Sequence, residues 1–373
     1  MKKKTDLPHL LISIDPGASA VKVVASIVGE NCLPFTITSN WVDLDELVEW
    51  QRIPEPNPNF DENSVWVGIG TKHYALGNLA KLRYNTYSSI RPLKSDSIIP
   101  KILAAIAVAH KKLSLPPKFK LSVSSVLPPG EFTHNRDVIA KLTLALRSFK
   151  TPAGKISPIL QEIVLNPEGY GILNWHRVYG AATDRDVGVI MLGYRNTSIM
   201  FSVVGQLTEL KSSDLGFAQV LSKISTLSGG GYSEDDLSKP VWDYVINQDE
   251  SGLKKLRRSI VNTDLELSMI KKAISEAITD YRRQLKDWLL SSMQKTSVVV
   301  LCGGNADYIG NSFDDFLKSY TEYICEPGDL ILRHIAEVDI PKEIKDTGME
   351  VRYLDIYCLW LELSCKYKKE VTD

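Results

Sequence analysis

Leu10-Leu11-Ile12-Ser13-Ile14-Asp15-Pro16-Gly17-Ala18-Ser19-Ala20-Val21-Lys22 is a short, almost continuous apolar run, a turn, and a return to β-branched residues that lasts to Ile27. Pro and Gly in succession interrupt regular structure, so the stretch predicts a strand, a turn and a second strand. A glycine in the turn lets backbone N–H groups approach a phosphate with no Cβ in the way. Asp15, at the end of the strand, is placed to hold a hydrated Mg²⁺ through water, because Mg²⁺ keeps several of its waters beside one or two carboxylates. Lys22, on the returning strand, is placed to neutralise phosphate charge. Plain hairpins share this pattern, so both uses stay open for a single match.

The pattern recurs. Val187 to Leu192 reads as a strand, Gly193-Tyr194-Arg195-Asn196 as a turn, and Thr197 to Val204 as a strand that reaches another turn at Gly205-Gln206. A third apolar run, Ser297 to Leu301, stops at Cys302-Gly303-Gly304-Asn305. Between these, Val65 to Ile69, Tyr74 to Leu76, Lys120 to Val126 and Ile159 to Leu165 have strand character, with Pro128-Pro129-Gly130 closing the third of them. Residues 51–64 concentrate Pro and Asn and predict a surface loop. Helices are expected over Ile98 to Leu113, Asn135 to Ser148, Leu215 to Leu227, Ser312 to Tyr320 and Tyr353 to Leu363, the last crossing back onto the first domain. Pro167-Glu168 is expected to start a helix, with Pro at its favoured early position. Leu265 to Met293 predicts a long helix with Leu267, Ile270, Ile274, Ile278, Leu285, Trp288 and Leu289 on one face.

Composition narrows the function classes. A chain of 373 residues exceeds the ~250 to 300 residues at which single cores stop growing, so two domains are expected. With 44% hydrophobic and 24% charged residues, neither disorder nor a disulfide scaffold is suggested. A formal net charge of -1 argues against a globally basic nucleic-acid binder. Five cysteines without C-x-x-C spacing fit neither a zinc site nor a disulfide framework, and a reducing cytoplasm is the simplest setting. The apolar run after Lys2-Lys3-Lys4 is interrupted by Asp15 and makes a poor signal peptide. Lys366-Tyr367-Lys368-Lys369 does not read as an amphipathic anchor, and no direct membrane insertion is expected.

Taken in order, these motifs resemble the actin superfamily, and especially its bacterial ParM-like branch. Asp15-Pro16-Gly17-Ala18-Ser19-Ala20-Val21-Lys22 is similar to the first phosphate loop, Gly193-Tyr194-Arg195-Asn196-Thr197-Ser198 to the second, and Val298-Val299-Val300-Leu301-Cys302-Gly303-Gly304-Asn305 to the adenosine loop. Trp66-Val67-Gly68 with Tyr74-Ala75-Leu76-Gly77-Asn78-Leu79-Ala80, the strand-loop Val126-Leu127-Pro128-Pro129-Gly130-Glu131, and Asn166-Pro167-Glu168-Gly169-Tyr170-Gly171 agree, the last with the first interdomain helix. The resemblance spans nearly the whole chain. It implies an α/β, actin-like fold of two ribonuclease-H-like domains around a nucleotide cleft, residues 1–166 completed by about 335–373, and 167–334. It also implies ATP and Mg²⁺ as cofactors, with Asp15, Gly17, Ala18, Ser19, Lys22, Gly193, Asn196, Thr197, Gly303, Gly304 and Asn305 around the nucleotide. The implied partners are further copies of the chain in a filament, and a small ParR-type adaptor that carries DNA in plasmid segregation; a filament that organises cell shape is equally permitted.

By the same resemblance Glu168 sits where the family places the residue that orients the attacking water, and it is the catalytic candidate. The other reading is that Glu168 simply favours a helix N-terminus, where negative charge is stabilising. The departure from the family lies at Met191, two residues before Gly193, where an Asp is usual. Met gives a hard cation no oxygen ligand, and Asp184 and Asp186 stand at the far end of the same strand. Binding is then expected more firmly than hydrolysis, unless Arg195 and Asn196 compensate; Arg195 as a plain surface residue also stands. A nucleotide-locked scaffold is the alternative to an ATPase. A sugar kinase would need a catalytic Asp near a substrate hydroxyl, which no residue here suggests.

Overall fold

The computed structural model describes residues 7–46, 56–84, 86, 93–179, 186–258, 262–325 and 350–372. Its contacts divide the chain into two compact units, Met1–Val178 with Leu330–Asp373, and Tyr179–Asp329. In chain order the first unit holds β1 (His9–Pro16), β2 (Ala20–Ile27), β3 (Leu33–Thr38), β4 (Trp41–Asp43), β5 (Trp66–Ile69), β6 (Lys72–Leu76), α1 (Gly77–Arg83) and α2 (Lys94–Lys112). It continues with β7 (Lys120–Leu127), α3 (Asn135–Leu146), β8 (Phe149–Thr151), β9 (Gly154–Ile156), β10 (Ile159–Pro167) and α4 (Tyr170–Tyr179).

The main sheet of this unit has the order β10-β7-β1-β2-β3. The hairpin predicted from Asp15-Pro16-Gly17 forms, with β1 antiparallel to β2 in the register Asp15 to Lys22 and Pro16 to Val21, while β7 lies parallel to β1. Alternation decides which side chains meet what. Leu10, Ile12 and Ile14 point into a core with Val21, Val23, Leu121, Val123 and, from α2, Ile98, Ile102 and Ile106. A smaller sheet of order β4-β6-β5-β8-β9 is inserted beside this core.

The second unit contains β11 (Val187–Leu192), β12 (Thr197–Val203), β13 (Gln206–Ser213), α5 (Phe217–Leu227), α6 (Glu234–Asn247), α7 (Ser251–Lys255), α8 (Thr263–Leu290), β14 (Thr296–Cys302), α9 (Ala306–Leu317) and β15 (Thr321–Cys325). Its sheet order is β13-β12-β11-β14-β15, again an antiparallel meander followed by two parallel strands. The two sheets share one topology, so the strand-turn-strand recurrence seen in the sequence marks a repeated fold. The stripe expected on the long helix packs as foreseen, with Leu267, Ile270, Ile274, Leu285 and Leu289 buried against α5 and the sheet. The last helix, α10 (Leu354–Thr372), packs on β1, β2 and β7 of the first unit. Trp360 Nε1 donates to Ser26 Oγ at 3.0 Å on that face.

Several boundaries differ from expectation. α2 begins at Lys94, before Ile98, and carries Pro100 inside it. A proline there removes one backbone bond, which burial of the helix's apolar face offsets. α9 starts directly after Asn305 instead of at Ser312. Pro167 ends a strand, and the helix expected to start there begins at Tyr170. α6 has a capping box between Ser233 and Asp236, a signal present in the sequence. Of the expected surface loop, residues 51–55 lie outside the described residues, as does Asp184.

Candidate nucleotide site

The turn after β1 is fastened from several directions. Ser39 Oγ donates to the Ala18 carbonyl. Lys101 Nζ from α2 reaches the Gly17 carbonyl at 3.3 Å, and Arg352, from the short 3₁₀ turn before α10, donates to Ser19 Oγ at 2.8 Å. Gly17 is required by the turn itself, because a Cβ there would lie 2.8 Å from the Ala20 carbonyl oxygen. A loop held this way keeps its backbone groups in place before any ligand arrives, which limits the ordering cost of binding.

Beside the turn lies a chain of charges. Asp15 Oδ2 pairs with Lys22, its cross-strand neighbour. Asp15 Oδ1 accepts from Lys94 Nζ at 2.6 Å, and the same ammonium donates to Glu168 Oε1 at 2.8 Å. None of these four side chains is more than 17% exposed, so the pairs are desolvated and strongly coupled. Burial alone would raise the Asp15 pKa, but Lys22 and Lys94 outweigh it and hold its carboxyl well below the usual carboxylate range. Burial also works against the charge on Lys94, yet Asp15 and Glu168 together raise its pKa above the ordinary lysine value. Lys22 is lowered, by burial first and then by the charge of Arg352, with Asp15 opposing.

The Glu168 carboxylate is turned to Lys94 and is not the group that caps the helix α4. The Glu168 backbone N–H donates to Leu127 O at 2.9 Å. The start of α4 is capped instead by Asp355 of α10, which accepts from the N–H groups of Gly169 at 2.8 Å, Gly171 at 2.9 Å and Ile172 at 3.3 Å. Gly171 is glycine because a Cβ would run into the Asp355 backbone carbonyl. Burial, with the charges of Asp15 and Glu168, pushes the Asp355 carboxyl up to about 6 against those backbone donors. Lys94, Arg352 and Asp355 escaped the sequence reading. Asp355 did leave a signal, as a lone acid in the apolar run Leu354 to Leu359.

In the second unit the equivalent turn is built alike. A Cβ on Gly193 would lie 2.7 Å from the Asn196 carbonyl oxygen, as Gly17 does with Ala20. Gly193 N–H donates to that oxygen at 2.9 Å, and Thr197 Oγ1 donates to Leu215 O at 2.6 Å, so Asn196 and Thr197 close and anchor the turn. Asn305 Nδ2 donates to Gly193 O at 2.6 Å, which brings the Gly303-Gly304-Asn305 turn against the Gly193 turn. Gly303 adopts φ +92°, and a Cβ on it would strike the Leu192 carbonyl. Met191 is paired with Ser198 where the first unit has Asp15 with Lys22, so the charges of the first turn have no counterpart here. Asp186 turns away, its Oδ1 accepting from Val204 N at 3.0 Å.

The Mg²⁺ expected beside Asp15 does not fit this donor set. Both Asp15 oxygens face ammonium groups, and Glu168 shares one of them, so neither carboxylate has a free face for a hydrated cation. Among the described residues no group of three or more His, Cys, Asp or Glu side chains is arranged to hold a metal ion.

No protein-family model matches the sequence, and no curated protein does. Solved structures do match in three dimensions. The actin-like protein Alp7A aligns with TM-score 0.63 at 14% identity, covering 98% of each chain. Bacillus thuringiensis ParM with AMPPNP aligns with TM-score 0.58 at 15% identity over 95% of this chain and 98% of that one. AlfA from B. subtilis plasmid pLS32, solved as a filament, aligns with TM-score 0.54 at 11% identity over 94% and 98%. Likeness at such identity speaks to the fold, and it agrees with the repeated sheet order of the two units: the chain has the actin-like fold, in the form found in ParM-type bacterial actin homologues.

Proposed function

We propose that the chain binds ATP and assembles with copies of itself into a nucleotide-dependent filament of the ParM type, in the cytoplasm, with a ParR-type adaptor that links the filament to plasmid DNA. The observation that carries this reading is the pair of like-built glycine turns, Gly17 and Gly193, each following the first strand of a copy of the same sheet. The first turn is surrounded by Lys22, Lys94, Lys101 and Arg352, four basic side chains suited to a polyphosphate. The second turn, with Gly303-Gly304-Asn305 packed on it, offers backbone against which an adenosine can lie. A fold-mate bound to AMPPNP and another solved as a filament support the two halves of the proposal. In this scheme bound nucleotide favours polymer and hydrolysis loosens it.

Glu168 is the residue proposed to orient water. The specific observation against rapid turnover is double: Met191 stands opposite Ser198 with no carboxylate, and Glu168 is held in an ion pair with Lys94. A nucleotide-locked scaffold is the second reading on that ground. Pelleting with ATP, ADP and no nucleotide, with phosphate release followed in parallel, tests both. Polymer in none of the three conditions sinks the filament proposal, whereas polymer without phosphate release selects the scaffold.

A further inference from the structure

We propose that Lys94 is a resident cation that takes the place of a divalent metal beside Asp15 and Glu168, so that this chain binds nucleoside triphosphate without Mg²⁺. The inference rests on the nucleotide reading given above. Lys94 is the first residue of α2, where the exposed N–H groups and the helix dipole disfavour a cation. Helix propensity therefore does not explain a lysine at this position. Burial does not either, since an ammonium leaves water only at considerable cost unless it is paired. What Lys94 gains is two carboxylates from two different strand ends, Asp15 at 2.6 Å and Glu168 at 2.8 Å.

Bridging two carboxylates while facing a polyphosphate is the work a divalent cation does in a phosphate site: it screens the acids so that the anionic ligand can approach. Lys22 does half of this, since among the described residues it pairs with Asp15 and not with Glu168. Lys94 pairs with both acids, with Lys22 balances their two charges, and is tethered, so no ion has to be recruited from solution. The second unit agrees independently. Its homologous strand end carries Met191 opposite Ser198, so no carboxylate there asks for a metal.

Calorimetric titration of the full chain with ATP, once in excess Mg²⁺ and once in excess EDTA, tests the proposal. The expected result is that wild-type affinity differs by less than about threefold between the two conditions. Lys94→Met keeps the apolar stem and removes the charge; it should lose about tenfold or more in EDTA and recover part of that in Mg²⁺, while Lys94→Arg should remain indifferent to EDTA. Wild-type protein that binds ATP in Mg²⁺ and releases it in EDTA overturns the inference while leaving the nucleotide reading intact. Wild-type protein that binds ATP in neither condition overturns the nucleotide reading and the inference with it. The wild-type arms decide the matter even if the methionine variant fails to fold, which a thermal melt reveals.

Discussion

Asp355→Asn isolates the link between the C-terminal helix and the Glu168 turn. Asp355 is buried, and its carboxyl is raised from 3.8 to about 6. A shift of that size corresponds to about 3 kcal/mol of discrimination against the charged form. The folded chain holds this proton more tightly than the unfolded chain does. Its contribution to stability is therefore fully present below pH 3.8 and lost as the pH rises through about 6. Between about pH 7.5 and about pH 4.5, wild-type protein should gain roughly 2 kcal/mol relative to Asp355→Asn, because asparagine does not titrate. Asparagine can still accept from Gly171 and Ile172 through Oδ1, whereas its amide opposes the Gly169 N–H, and that loss is independent of pH. Among the described residues, the titratable groups facing Asp355 are Asp15, Glu168 and Cys358. Asp15 is shifted the other way, so its contribution is lost only at more acid pH, below the window, and it is common to both proteins. Urea unfolding of both proteins at the two pH values supplies the comparison. An identical response to pH in the two proteins would refute the assignment of a raised carboxyl at this cap.

Three further outcomes are expected. Asp15→Ala leaves Lys22 and half of the Lys94 pairing without a counter-charge, and should cost about 3 to 5 kcal/mol of stability and abolish ATP-dependent pelleting; wild-type assembly by this variant counts against the phosphate-turn assignment. Met191→Asp places a carboxylate opposite Ser198, whose buried hydroxyl has no hydrogen-bond partner among the described residues, so the chain should accommodate it and release phosphate faster from ATP; an unchanged rate means the departure at this position does not limit turnover. Gly303→Ala forces a Cβ toward the Leu192 carbonyl at φ +92° and should destabilise by about 1 to 3 kcal/mol, read as a lowered melting temperature.

What the sequence alone determined was local: where apolar runs break, and which residues stand at the breaks. Strand alternation and glycine placement are properties of a few consecutive residues, so the hairpins at Gly17 and Gly193, the long helix Thr263–Leu290 and the recurrence of the two halves were all legible. Helix starts were less so, because Lys94 and Pro100 carry no local signal for a helix that is stabilised by packing on a sheet. Tertiary structure alone decided the charge partners. Lys94 meets Asp15 from 79 residues away, and Asp355 caps a turn 186 residues earlier in the chain. Coulomb attraction and hydrogen bonding act through space and leave no periodicity along the chain, so neither contact could be read before the strands and helices were in place. The Asp15 turn that looked ready for a metal is thereby seen to be supplied with cations by its own fold.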